Sequence, residues 1–338
     1  MSLRSYIITR VLLTIPMLFI LVTLVFLILR VMPGDPVLAM MRPGTPKEYL
    51  DQLRHEMGLD KPLVVQYVDY IADLAQGHLG TSLAPVKGRP VAEDLKEKFP
   101  ATLELSIVSM IITAVVGVST GAYAAYKRRS AVDYTFRLYS IIIYAIPVFW
   151  FGLMLQLIFG VYLHWLPVAG RVDNLSYVPK HITGMYLFDS LVTGNWRSFG
   201  NSLKHIILPS VTLGLYLSGI FTRLTRSNML DALRQDFVTA ARARGIPERQ
   251  VVVKHALKNA FIPILTMMGL QFALLLAGAV LTESTFSWPG LGRFLVDRIG
   301  YRDFPSIQGT VAFFALLVAL VSLTVDILYS YLDPRIRY

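Results

Sequence analysis

Six histidines and no cysteine bound the chemistry open to this chain of 338 residues. Without cysteine there is no disulfide, no thiolate metal site and no cysteine nucleophile. His164, His181, His205 and His255 are scattered with no metal-ligand spacing. His55-Glu56 lacks the second histidine that a zinc-protease helix requires. No G-x-x-x-x-G-K-[ST] phosphate loop occurs, which excludes nucleotide hydrolysis by that route. Gly117-Val-Ser-Thr-Gly121 matches the G-x-S-x-G pattern of a serine nucleophile, but that motif needs a strand-to-helix turn. Here it lies in an apolar run, where two glycines followed by Ala125 suit close helix packing. A membrane enzyme using Ser119 is the displaced reading. We expect no catalysis by the chain itself, no bound cofactor and no metal.

The apolar runs dominate. Hydrophobic residues make up 54% of the chain and charged ones 16%, well below the ~25% of soluble domains. Six stretches are long enough to cross a bilayer: 7–32, 102–126, 138–163, 206–222, 261–280 and 309–332. The first is too long for a signal-peptide core and lacks a small-residue cleavage site before Pro36, so it reads as a retained span. With the N-terminus inside, the inner segments carry sixteen bases against five acids, whereas the outer ones balance at fifteen each. The positive-inside rule then puts both termini in the cytoplasm. The formal charge of +10 is a topology signal rather than a nucleic-acid footprint. The chain divides into an N-terminal tail and first span (1–32), an external helical piece (33–100) and a membrane core (101–338) with an inner loop at 223–260.

Intramembrane acids would serve an ion-coupled carrier. The candidates are Glu104, near the outer end of the second span, and Asp326, in the inner half of the sixth. Asp326 is expected to pair with Arg223, Arg226 or Arg335. On the outer side, residues 53–62 read as a helix stopped by Gly58, and 66–79 as an amphipathic helix with Tyr67, Tyr70, Ile71 and Leu74 on one stripe. This cap is either a packing lid or a docking surface. The loop 164–205 has no clear period. Around Glu283, the Trp288-Pro-Gly turn reads as an interfacial aromatic anchor, with the helix after it lining an outer gate or lying in the interface. Tyr144, Trp150, Gln156, Tyr216 and Gln271 are polar or aromatic side chains within spans, suited to a pathway or to packing.

The inner loop is the most specific element. Residues 231–244 are good helix formers, with Phe237, Ala240, Ala241 and Arg244 at helical spacing, and Gly245 is placed for the left-handed conformation that ends a helix. Pro247 and Glu248 then restart one that runs through Val251, His255 and Asn259 into the fifth span. The small Ala240/Ala241 surface with Phe237 beside it suits a protein groove. A helix lying on anionic lipid is the alternative.

Thr239-Ala-Ala-Arg-Ala-Arg-Gly245 resembles the "EAA" loop of ABC importer membrane subunits, the helix that docks on the ATPase. Pro33-Gly-Asp-Pro36, Met57-Gly-Leu-Asp-Lys-Pro62, Leu79-Gly-Thr-Ser82 and Ala101-Thr-Leu-Glu-Leu105 are similar to the dipeptide/oligopeptide permease group. So are Thr225-Arg-Ser227, His255-Ala-Leu-Lys-Asn-Ala260, Phe286-Ser-Trp-Pro-Gly-Leu-Gly292 and Leu332-Asp-Pro-Arg-Ile-Arg337. The likeness covers nearly the whole chain in order. Thr239 stands where the general loop has an acid, and Pro263 lies farther from Gly245 than in the general pattern. The resemblance implies an all-α integral membrane protein of six transmembrane helices with the type I ABC importer permease fold. It also implies a prokaryotic inner-membrane location, a second homologous permease subunit, two cytoplasmic ATPases holding ATP and Mg, and an extracytoplasmic binding protein. The expected docking residues are Phe237, Thr239, Ala240, Ala241, Arg244 and Gly245. Peptide is the implied cargo, with sugar or nickel as alternatives, and a stand-alone ion-coupled carrier is the runner-up.

Overall fold

Helix α1 (Leu3–Val31) is apolar on every side, and only 6% of its membrane window is buried within the protein. A helix apolar all round belongs in lipid or a core, and within the protein α1 packs on the last helix and on the outer cap. The structure, a computed structural model, describes residues 3–31, 37, 45–56 and 58–332. The expectations on Pro33–Pro36, on Arg335 and on the 333–337 part of the last motif lie outside those residues.

Outside the first span come α2 (Lys47–Glu56) and α3 (Leu63–Ala75). Gly58 ends the first turn of the cap at φ +63, and Leu59 N–H donates to the Arg54 carbonyl at 2.9 Å, closing the helix as expected. The stripe on α3 turns inward: Tyr67 packs edge-on to Phe19 and Phe26, Tyr70 stacks on Phe26, and the Thr23 and Tyr67 hydroxyls share a 2.5 Å hydrogen bond. That face of the cap therefore serves α1.

The membrane core is built around α8 (Trp196–Ala232), which packs against α4 (Val91–Tyr126), α5 (Ala131–Ala145), α7 (Tyr186–Val192) and α10 (Glu248–Leu276). It is 72% buried over its membrane window and runs 37 residues. It starts ten residues before the expected Ile206 and ends ten after Thr222, because its polar turns are buried by protein and so show no apolar run. The glycine pair of α4 does pack closely. A Cβ on Gly117 would lie 2.6 Å from the Phe221 Cβ, and one on Gly121 2.6 Å from the Thr222 carbonyl oxygen.

The third span is not one helix. α5 stops at Ala145 and α6 (Val148–Tyr162) leaves it at 99°. Pro147 forces the residue before it out of the helical region, and Ile146 is extended at φ −76, ψ 129. Beyond α8 follow α9 (Asp236–Ala243), α10, α11 (Val280–Thr285), α12 (Leu291–Gly300) and α13 (Phe304–Leu332). Counting the bent pair once, six crossings result. Among the described residues there is no strand, only an isolated bridge between Thr81 and Pro90.

Candidate functional site

On the inner face α9 lies between the ends of α8 and α10. Val238 and Ala241, three residues apart, are fully buried with Met229, Ala232, Val251, Val252 and Ala256. Phe237, Thr239, Ala240, Ala243 and Arg244 are exposed. The helical period places Phe237, Ala240 and Arg244 outward as expected, but not Ala241. Ala241, expected on the docking surface, faces its own chain and anchors α9 instead. Val238 and Ala241 meet the bundle floor, and Phe237 is left outside, 38% exposed.

The helix is held at both ends. Gly245 adopts φ +74, its N–H donates to Arg242 O at 2.9 Å, and Ile246 N–H donates to Ala241 O at 3.3 Å, a Schellman-type stop that favours glycine. Arg242 then reaches across that turn to Glu248, with guanidinium-to-carboxylate contacts of 2.7 and 3.1 Å. A π-helical turn, Val251–Leu257, leads into the rest of α10. The helix restart expected at Pro247 is present, so α9 is tied to a membrane-crossing helix through a short braced corner.

The two intramembrane acids, Glu104 and Asp326, are both paired. Asp326 meets Arg10 at 3.0 Å, not Arg223 or Arg226. Arg226 is engaged by the buried Asp133, with contacts of 2.6 and 2.8 Å. Glu104 is buried against Arg171 at 2.5 Å and accepts from Leu187 N–H at 2.6 Å. Neither acid stands free for ion coupling.

The outer face is organised around the motif Phe286–Gly292. Trp288 is not an interfacial anchor: it is 1% exposed, and its indole N–H donates to Ala101 O at 2.9 Å. Glu283 is fully buried, accepting from Thr102 Oγ1 at 2.7 Å and Arg293 N–H at 3.0 Å, while Leu291 N–H donates to Thr102 Oγ1 at 2.8 Å. Burial pushes the Glu283 carboxyl up, opposed by those donors. A Cβ on Gly290 would sit 2.4 Å from that carboxyl group, so glycine is what lets the turn wrap it. α12 buries Leu291, Phe294 and Arg298 in the outer cap, which excludes a helix lying freely in the interface. Arg298 pairs with Asp94 at 3.0 Å, and Asp303 accepts from Ser82 Oγ at 2.7 Å.

The proposed pathway residues do not form one cluster. Tyr144 and Tyr216 stack with centroids 5.4 Å apart, and Arg223 lies over Tyr144 at 5.2 Å. Trp150, 46% exposed, sits beyond the Pro147 break. Gln156 donates to the carbonyls of Val168 and Thr285 at 2.6 and 3.1 Å, which ties α6 to the outer turns. Gln271 is half-buried on α10.

A multi-pass helical core with a braced helix exposed beneath it defines the membrane component of an ABC importer, with the type I permease fold. The chain belongs to the family described as binding-protein-dependent transport system inner membrane component, whose model matches residues 117–338, with the family's N-terminal model matching 3–106. It is 46% identical to a di/tripeptide transport system permease protein of Pseudomonas aeruginosa and 41% to a dipeptide transport system permease protein of Escherichia coli. A glutathione transport system permease protein of Salmonella choleraesuis is 39% identical. Each comparison covers 99% of both chains. Family membership makes the chain a multi-pass inner-membrane transport component that works within a larger importer.

Proposed function

We propose that this subunit forms part of the translocation route for di- and short oligopeptides, and that the exposed face of α9 receives force from separate ATPase subunits. The single observation that carries the docking reading is the exposed row Phe237, Ala240 and Arg244 on a helix braced directly to α10. A helix meant only to lie on lipid needs no such brace, and its outward face would be broadly apolar. The peptide reading rests on the names of the full-length relatives. The complete importer would comprise a second homologous permease subunit, two cytoplasmic ATPases and an extracytoplasmic binding protein, with ATP and Mg held by the ATPases. This chain carries no catalytic step. Tyr144, Tyr216 and Trp150 are the pathway candidates, because they remain accessible; Gln156, Glu283 and Trp288 shape the outer end.

Reconstitution with the partner subunits tests this. Gly245→Val must place a β-branched residue at φ +74, which L side chains rarely adopt. The expected outcome is normal membrane insertion with ATP hydrolysis uncoupled from peptide uptake. Wild-type uptake by the variant would defeat the docking role, and uptake of a sugar or nickel in place of peptide would defeat the cargo.

A further inference from the structure

A pocket of about 510 Å³ opens on the outer side between the end of α1, the cap helices α2 and α3, and the start of α13. Its volume lies within the ~300–1,000 Å³ of small-molecule sites. Three bases, Arg30, Lys61 and Lys87, and three acids, Glu56, Asp69 and Asp73, line it. Two of each are matched to one another: Lys61 with Asp69 at 2.6 Å, and Lys87 with Glu56 at 3.9 Å. That leaves Arg30, half-buried, and Asp73, exposed at the rim, without an ion-pair partner among the described residues. Gln308 also lines the pocket. It is 8% exposed, and its amide nitrogen and the adjoining Tyr70 hydroxyl face each other with no other partner.

A buried amide that faces only a phenol is poorly matched, and an unpaired guanidinium favours a carboxylate or phosphate. A purely anionic ligand would meet three carboxylates, and a purely cationic one would meet Arg30. The charge pattern suits a molecule carrying both signs. We propose that this pocket binds a small zwitterion, with its carboxylate or phosphate on Arg30, Gln308 and Tyr70 and its ammonium toward Asp73. Two sources share that chemistry. One is a free peptide, and the other is an ethanolamine phospholipid headgroup, since Arg30 sits just past the apolar run of α1.

The permease–ATPase complex, prepared without binding protein or ATP, separates them. Dialanine is titrated calorimetrically, and phosphatidylethanolamine that co-purifies is counted by native mass spectrometry. Arg30→Gln and Asp73→Asn are compared with wild type, and the basal ATPase rate verifies that each variant is assembled. For the peptide source, dialanine binds saturably, Arg30→Gln weakens it at least about tenfold, and the C-terminal amide of dialanine is weakened alike. For the lipid source, phosphatidylethanolamine is retained by wild type and lost from both variants. If neither probe responds to either substitution, the site is refuted. Because binding is read without turnover, this result is separate from the outcome for docking or cargo.

Discussion

Glu283 and Gly290 belong together. The carboxyl group occupies the space that any side chain at position 290 would need, so Gly290→Ala must push the turn off Thr102. Overpacking of this kind costs about 1–3 kcal/mol, and we expect thermal unfolding of the purified complex to fall accordingly. Gly300→Ala, with no atom within 4 Å of its Cβ, is the matched control and should leave unfolding unchanged. Asp189 makes a second residue-scale case. Burial raises its carboxyl, but the Thr183 hydroxyl and the N–H groups of Thr183, Ile182 and Gly184 hold it below the ordinary range on balance. A depressed folded value means this stabilisation is complete above the unfolded pKa of ~3.9 and is lost as pH falls through the folded one. Unfolding followed from about pH 7 to about pH 3 should show an acid-side loss that is smaller in Asp189→Asn. An identical acid limb in both proteins would remove Asp189 as its source.

At the scale of elements, the corner between α9 and α10 is the testable unit. Arg242 and Glu248 are each more than 40% exposed, so their pair contributes no more than about 1 kcal/mol to stability. Its role is geometric. Arg242→Glu should leave unfolding nearly unchanged while lowering the uptake obtained per ATP, and adding Glu248→Arg should restore it. Failure of the exchange to rescue would assign the loss to Arg242 alone. Much of this corner was legible in the sequence, because a glycine stop and a Pro-Glu start are local signals. The inward phase of α9 was not, since Ala240 and Ala241 are the same residue and only the bundle floor distinguishes them. Pro147 is a local signal of the break, hidden by the apolar run around it. The partners of Glu104, Trp288 and Asp326 come from segments between 67 and 316 residues away, where no local pattern reaches.

Across the whole molecule, the sequence motifs converge. Ala101–Leu105 meets Phe286–Gly292 through Trp288, Thr102 and Glu283, and Leu79–Ser82 meets α13 through Asp303. One outer cap therefore gathers segments that lie far apart in the chain. The absence of cysteine makes sidedness directly measurable. Single cysteines at Arg244 and at Val64, which is 74% exposed on α3, should be labelled by an impermeant maleimide from opposite sides of the membrane. Labelling of both from one side would overturn the orientation.

The 99° break at Pro147 also bears on how the protein is made. α5 has 15 residues, a length of about 22 Å, and falls short of a ~30 Å hydrocarbon layer by itself. Counted as one crossing, the pair spans the layer only with α5 and α6 together. Everything translated after them inherits its side from that crossing. Were the insertion machinery to reject the pair, the parity of the remaining crossings would invert, and α9 would emerge on the side away from ATP. The broken third crossing thus fixes the side on which α9 lies.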